Sequence, residues 1–280
     1  MAFSIQTNVS SLNAQRNLSK TQSSMGGSLA RLSSGLRINR AGEDAAGLAI
    51  SENLKSQVRS LSQAERNAND GISLLQTAEG AMSEVGSIMG RMRELSIQAA
   101  TDTVGSTERG FLNQEFDALL SEVDRVAAVT EFNGTQLLDG SATAVDFQVG
   151  INNSANDRIT VGIADMRTAT LGTGAGATAL STVDISTKTG AQNALAVIDD
   201  ALQDVSTGRA DIGSTQNRLN ITVSNLGSAR ENLAAANSRI RDVDVAEETA
   251  NLTRQNILMQ AGVSVLAQAN QAPSLALSLL

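Results

Sequence analysis

Apolar residues recur at seven-residue steps along two separated stretches of the chain. The first stretch carries two such rows, which are Leu54, Leu61, Ala68, Leu75, Met82 and Met89, and Ala78, Val85, Met92 and Ala99. The second stretch carries one row, which is Ile198, Val205, Ile212, Leu219, Leu226, Leu233 and Ile240. Sustained heptad spacing is typical of helices that supercoil around one another. At about 1.5 Å per residue the second row alone extends ~63 Å, so the sequence predicts a helical rod.

A third, shorter helix is predicted between these two stretches. Its apolar residues follow steps of four and three at Leu112, Phe116, Leu119, Val123, Val126 and Val129. On this spacing the polar residues Glu115, Glu122 and Arg125 face outward. Residues 101–110 are rich in Thr, Ser, Asp and Gly, which predicts a loop before this helix. The three helices are therefore expected to bundle.

The central region differs because its apolar residues alternate with polar ones. Two alternating runs flank Asn152-Asn153, and they are Phe147, Val149 and Ile151, and Ile159, Val161 and Ile163. This pattern predicts a β-hairpin. Residues 168–183 are uncharged and mostly Thr, Ala and Gly, which predicts an exposed loop tip. The predicted fold class is mainly α, a long coiled-coil helical hairpin or bundle with a small β-hairpin region at the central turn.

The two ends of the chain carry unusual charge patterns. Residues 1–42 contain five basic side chains and no acidic one, whereas residues 255–280 contain no charge at all. The C-terminal heptad stripe is Val245, Leu252, Met259 and Leu266. This stripe is out of phase with Ile240, which predicts a break between Arg241 and Asp244.

The uncharged C-terminal segment is not expected to fold alone. Burying its aliphatic side chains contributes less free energy than ordering the segment costs. We therefore expect it to be disordered in a monomer and ordered where several copies meet. Its natural partner is the apolar N-terminal segment, together with the same pair from neighbouring copies, because a head-to-tail contact that does not close makes a filament. On periodicity alone, one alternative interpretation remains, which is an ordinary intramolecular helical hairpin with frayed ends.

The composition removes most catalytic chemistry. The chain has no Cys, His, Trp or Tyr, which excludes thiol and imidazole catalysis and zinc sites built from sulfur or nitrogen ligands. Neighbouring acids such as Asp199 and Asp200 diverge by about 100° around a helix axis. We expect no enzyme activity, cofactor or metal site. The net charge of −8 disfavours nucleic acid as a partner, and neither a secretory signal nor a membrane-spanning run of ~18 apolar residues is recognisable.

Four segments resemble bacterial flagellin. They are LSSGLRINRAGEDAAGLAI at residues 32–50, EFNG at 131–134, SRIRDVD at 238–244 and QAGVSVLAQANQ at 260–271. The resemblance covers about residues 1–140 and 190–280, and it indicates a short form that lacks the outer inserted domains of larger flagellins.

The resemblance implies a division into domains and a set of polymer contacts. Residues 1–44 and 245–280 would be the terminal helices of the filament inner tube, called D0. Residues 45–140 and 190–244 would be the helical rod of the surrounding shell, called D1, and residues 141–189 would be its β-hairpin and exposed loop tip. The implied inner-tube contacts are Ile5, Val9, Leu12, Leu18, Leu252, Met259, Val263 and Leu266.

The resemblance also implies a route and partners. Flagellins are exported unfolded by the flagellar type III apparatus, with an export chaperone, and they polymerise outside the cell under a cap protein, beyond the hook–filament junction proteins. Residues 91–98 are similar to the flagellin stretch recognised by Toll-like receptor 5. Arg91, Leu95 and Glu115 match receptor-contacting positions, although the same surface could serve lateral packing in the filament.

Two alternatives from other classes remain at this point. A hook–filament junction protein shares terminal coiled coils, and weaker agreement with the four segments is expected of it. A signalling hairpin such as a chemoreceptor cytoplasmic domain shares the heptads, but it requires a membrane span and leaves the uncharged C-terminal segment unexplained.

Overall fold

Helices dominate the chain. The computed structural model describes residues 7–173 and 178–277, with side chains as far as residue 271. The helices within these residues are α1 (Val9–Ser34), α2 (Ala45–Ala100), α3 (Ser106–Val129), α4 (Lys188–Arg241) and α5 (Val245–Leu277). The strands are β1 (Glu131–Phe132), β2 (Thr135–Gln136), β3 (Val145–Gln148) and β4 (Arg158–Val161), and short 3-10 turns occupy Ala155–Asp157 and Leu180–Thr182. The predicted fold class is confirmed.

The chain divides into two compact units. The terminal unit comprises Met1–Val58 with Glu231–Leu280, and the central unit comprises Arg59–Arg230. The sequence predicts boundaries after residues 44 and 244, where helices end, whereas the observed division falls within α2 and α4. Within the terminal unit, Arg241 at the end of α4 ion-pairs with Glu52 near the start of α2.

Capping residues set the helix ends of the terminal unit. The Asn8 side chain accepts a hydrogen bond from the Ser11 N–H, and Gly35 ends α1 in the left-handed conformation with φ 71°. The Asp244 carboxylate accepts from the N–H groups of Ala246 and Glu247 and so starts α5. The predicted break between Arg241 and Asp244 is therefore confirmed.

The heptad rows form the core of the central unit. Leu75, Met82 and Met89 of α2 are fully buried, as are Ile198 and Ile212 of α4. These residues pack in one hydrophobic cluster with Phe116 and Val123 of α3 and with the β3–β4 hairpin, which lays Phe147 and Ile159 on it.

The loop before α3 is shorter than predicted. The sequence predicts a loop over residues 101–110, but α3 begins at Ser106. The Arg109 guanidinium donates to the carbonyl oxygens of Ala99 and Thr101, at 2.8 Å in each case. It thereby satisfies backbone groups that the end of α2 leaves unpaired, and this contact closes the turn early.

The predicted β-hairpin is confirmed. Strands β3 and β4 are antiparallel, with Phe147 opposite Ile159. A second, smaller hairpin joins β1 and β2 through Asn133 and Gly134, which have positive φ values of 51° and 78°. This conformation is the one that an Asn-Gly turn favours.

The prediction of an exposed loop tip over residues 168–183 is wrong for several of its residues. Thr168, Leu171 and Leu180 are buried. The backbone N–H and the hydroxyl of Thr168 both donate to the Asp124 carboxylate at 2.8 Å. The Leu180 N–H donates to the Leu171 carbonyl oxygen. Residues 174–177 of this segment lie outside the described residues.

Candidate assembly surface

Helices α1 and α5 pack against each other in antiparallel orientation. At one end, the Asn8 side-chain amide donates to the Ala269 carbonyl oxygen at 2.7 Å. Close to it, the Ser11 hydroxyl donates to the Asn270 side chain at 2.7 Å. At the other end, Arg31 lies 3.9 Å from the Glu248 carboxylate. The N-terminus of α1 is thus placed beside the C-terminal part of α5.

A heptad seam joins the two helices. The seam side chains of α1 are Ser11, Ala14, Leu18, Thr21, Met25 and Ser28. Those of α5 are Leu252, Gln255, Met259, Leu266 and Ala269, and Gly262 occupies the seam position between Met259 and Leu266. Many of these residues are small, which lets the backbones approach closely. A Cβ atom at Gly262, for example, would lie 3.3 Å from Cδ1 of Leu18.

One end of the seam is polar and charged. Arg31 faces two carboxylates, with Glu43 at 3.8 Å and Glu248 at 3.9 Å. The Asn39 N–H donates to Glu43 at 2.8 Å, and this hydrogen bond, aided by the Arg40 N–H and the Arg31 charge, holds the pKa of that carboxyl below its usual range. The linker between α1 and α2 is thus tied to the helix pair by charge.

Large apolar side chains remain exposed on both helices outside the seam. They are Val9, Leu12 and Leu29 on α1, and Val245, Ile257, Leu258, Val263 and Val265 on α5. On α5, Ile257 has 61% of its surface accessible. Helix α5 is therefore apolar on more than the face that it packs on α1. A helix of this kind is normally covered on several sides.

The predicted inner-tube residues fall into two groups. Leu18, Leu252, Met259 and Leu266 lie in the seam, where they hold α1 and α5 together. Val9, Leu12 and Val263 are exposed outside it, and Ile5 lies outside the described residues. Ile257, Leu258 and Val265 are also exposed but are not among the predicted contacts, although the absence of charge over residues 255–280 was a signal for them.

The predicted receptor-contacting residues are only partly on the surface. Arg91 of α2 donates to Glu115 of α3 at 2.9 Å and to Glu94 at 2.9 Å. These hydrogen bonds raise the pKa of the Arg91 guanidinium, and the bond to Glu115 has the largest effect. Leu95 is fully buried, with 0% of its surface accessible. Its assignment as an exposed apolar contact is therefore wrong, because it belongs to the same core face as Met92 and Ala99.

Two models of one protein family match most of this chain. A family model for the bacterial flagellin N-terminal helical region matches residues 5–143, and a model for the C-terminal helical region matches residues 195–280. The chain belongs to the bacterial flagellin family. It is 48% identical over 276 residues to a flagellin of Halalkalibacterium halodurans, and 45% identical over 303 residues to a flagellin of Bacillus subtilis. Each alignment covers 99% of both chains.

A solved flagellin is similar in fold. The crystal structure of Bacillus cereus flagellin is 32% identical, with a TM-score of 0.50, and the match covers 61% of this chain and 94% of that one. Because both matched family models describe flagellin regions, the alternative of a hook–filament junction protein is not favoured. Flagellin is a structural protein family of the flagellar filament rather than an enzyme family.

Across the described residues, no helix combines the length and the hydropathy that crossing a bilayer requires. In the same part of the chain, no three acidic side chains group in a way that could hold a metal ion.

Proposed function

We propose that this flagellin is the structural subunit of a flagellar filament, that it assembles with copies of itself outside the cell, and that the polymer serves motility. The exposed apolar side chains of α1 and α5 carry this proposal. Exposing them costs free energy in water, and neighbouring copies would remove that cost by covering them. The two terminal helices would accordingly form the inner tube.

The seam and the exposed residues have different roles in this proposal. Leu18, Leu252, Met259 and Leu266 position the pair within one subunit. Val9, Leu12 and Val263 contact neighbouring subunits. The seam residues therefore determine whether the pair forms, and the exposed residues determine whether it joins the polymer.

Seeded growth of filaments tests this assignment. Val263→Asp places a charge on an exposed apolar position, and Ser264→Asp places the same charge one residue away on an exposed polar position. We expect Val263→Asp to stop elongation from short seeds, as judged by electron microscopy, because the interface would have to bury an unpaired carboxylate. Ser264→Asp should still elongate. Equal growth of the two variants would refute the assignment.

A deletion gives a second test of the tube role. Removing residues 255–280 leaves the central unit intact, so we expect a soluble helical protein that does not polymerise. Circular dichroism would report the fold, and sedimentation would report the polymer. Normal filaments from the truncated chain would contradict the role of the terminal helices.

We propose export through the flagellar type III apparatus, with an export chaperone, and growth on the hook–filament junction under a cap protein. The absence of cysteine supports this route, because no disulfide can form that would prevent passage of an extended chain. Cells in which the export gate is deleted should retain the protein. Unchanged amounts in the medium would rule out this route.

A second proposed function is recognition by Toll-like receptor 5, and the exposed pair of Arg91 and Glu115 supports it. A guanidinium fork held beside a carboxylate is a suitable hot spot for a receptor. Arg93 provides the matched control, because it is also an exposed arginine of α2 and pairs with Asp199 instead. With depolymerised protein, Arg91→Ala should lower receptor activation well below that of Arg93→Ala. If Arg91→Ala leaves receptor activation unchanged, the assignment of this surface to the receptor is wrong.

A further inference from the structure

The methionines of the two units differ in their access to solvent. The chain has seven methionines, of which Met1 lies outside the described residues. Met25 of α1 and Met259 of α5 are half-buried, and we name them the seam methionines. The four in the core of the central unit expose no surface at all, and they are Met82, Met89, Met92 and Met166. A soluble oxidant therefore has access to the seam methionines that the core methionines do not offer.

The seam methionines lie close to each other along the contact between α1 and α5. The ion pair of Arg31 with Glu248 fixes the antiparallel register of the two helices. Met25 precedes Arg31 by six residues, and Met259 follows Glu248 by eleven residues. At ~1.5 Å per helical residue, this difference places the two methionines roughly 7–8 Å apart along the seam. A single short stretch of the seam thus contains both oxidisable sulfur atoms.

The seam next to each methionine is poorly suited to an additional hydrogen-bond acceptor. One turn before Met25, the Thr21 hydroxyl already donates to the Asn17 carbonyl oxygen at 3.0 Å. One turn before Met259, the Oε1 atom of Gln255 is buried and has no hydrogen-bond partner among the described residues. Oxidation to the sulfoxide converts an apolar thioether into a polar group that carries an acceptor oxygen. Burying that oxygen without a donor costs free energy, so sulfoxides at these positions weaken the helix pair.

We propose that Met25 and Met259 form a redox-sensitive modification site of the unassembled subunit, and that its co-substrate is a hydroperoxide. In the reaction the peroxide O–O bond breaks, one oxygen atom bonds to the methionine sulfur, and the other leaves as water, or as an alcohol when the peroxide is organic. The sulfur loses two electrons, the peroxide gains two, and the proton of the transferred oxygen moves to the leaving oxygen.

The consequence for the subunit follows from the position of the two sulfur atoms. Sulfoxides at Met25 and Met259 loosen the pairing of α1 with α5, and a subunit with a loosened pair no longer adds to a filament. This consequence rests on the proposed function of self-assembly, whereas the oxidation itself does not.

Peptide mass spectrometry of the full-length monomer, sampled at intervals after addition of hydrogen peroxide, tests the site. We expect Met25 and Met259 to be oxidised about tenfold faster or more than the four core methionines, because oxidation follows exposure. Circular dichroism of the same samples identifies the interval in which the central unit remains folded. Equal rates for the seam and core methionines within that interval, or faster oxidation of the core, would overturn the proposal.

Seeded growth separates the effect of the seam methionines from general oxidative damage. The double variant Met25→Leu with Met259→Leu removes both sulfur atoms and keeps the apolar volume. The control, Met82→Leu with Met166→Leu, removes two buried sulfur atoms of the central unit. We expect peroxide to raise the critical concentration by about tenfold or more for the unaltered chain and the control, but not for the seam variant. An equal loss of growth in the seam variant would contradict the proposal.

Reduction of the sulfoxides keeps the proposal falsifiable if the seam variant polymerises poorly before any treatment. Incubating the oxidised unaltered chain with the two methionine sulfoxide reductases, one for each sulfoxide epimer, should restore its growth. No recovery of growth after complete reduction would overturn the proposed consequence. If the untreated, unaltered chain forms no filaments, the proposed function fails instead, and the order of oxidation still decides whether the modification site exists.

Discussion

Gly71 lies in the interior of α2, directly beneath the ring of Phe147 from strand β3. A Cβ atom added at Gly71 would lie 2.9 Å from Cδ1 and 3.0 Å from Cε1 of that ring. Gly80 occupies the same helix, and a Cβ atom added there would meet nothing within 4 Å. The substitutions Gly71→Ala and Gly80→Ala are therefore a matched pair that differ in the space around the new methyl group.

The expected magnitudes follow from two opposing effects. Alanine stabilises a helix interior by about 1 kcal/mol relative to glycine, and this gain applies to both positions. At Gly71 the buried ring has to move by several tenths of an ångström, and overpacking of this kind costs about 1–3 kcal/mol. Gly80→Ala should therefore stabilise the protein by about 1 kcal/mol, whereas Gly71→Ala should be neutral or destabilising by up to about 2 kcal/mol.

Urea unfolding followed by circular dichroism measures the difference between the two variants. We expect their free energies of unfolding to differ by about 1–3 kcal/mol, with Gly80→Ala the more stable. In a Phe147→Ala background the difference should largely disappear, because the obstructing ring is gone. If Gly71→Ala is as stable as Gly80→Ala in the unaltered background, the close packing of the hairpin on α2 is refuted.

Three further predictions concern local contacts. Asp124→Ala should cost about 1–3 kcal/mol because it leaves both donors of Thr168 unpaired, whereas Asp117→Ala on the exposed face of α3 should cost under about 0.5 kcal/mol in the same urea assay. The lowered pKa of Glu43 means that this carboxylate's contribution to stability is complete above the unfolded pKa, near 4.3, and is lost as the pH falls through the lower folded value. Glu43→Gln should therefore flatten the dependence of the urea midpoint on pH in that acid range. An unchanged slope would contradict this. Asn133→Ala should lower the thermal midpoint because it forces alanine into φ 51°, whereas Asn133→Gly should not.

The helices and their buried faces could be predicted because heptad spacing is a local signal. Leu75 and Ile212 occupy heptad positions, and each is buried where its row indicates. The same spacing could have corrected the prediction for Leu95, which follows Met92 by three residues and so shares its buried face. The resemblance to receptor-contacting positions led away from that simpler interpretation.

Other features depend on contacts between residues distant in sequence. The burial of Thr168 follows from Asp124, and nothing in the composition of residues 168–183 indicates it. For the candidate site, the stripe of Leu252, Met259 and Leu266 indicated an apolar interface, but a stripe does not specify whether its partner belongs to the same chain or to a neighbour. The structure gives these residues a partner in α1 and leaves Ile257 and Val263 exposed.

Amide hydrogen exchange, compared between dilute monomer and assembled filament, tests the central claim that copies complete one another's terminal helices. We expect faster exchange across α1 and α5 in the monomer than in the filament, and little change in the core of the central unit. Equal protection of α1 and α5 in the dilute monomer and in the filament would contradict the claim.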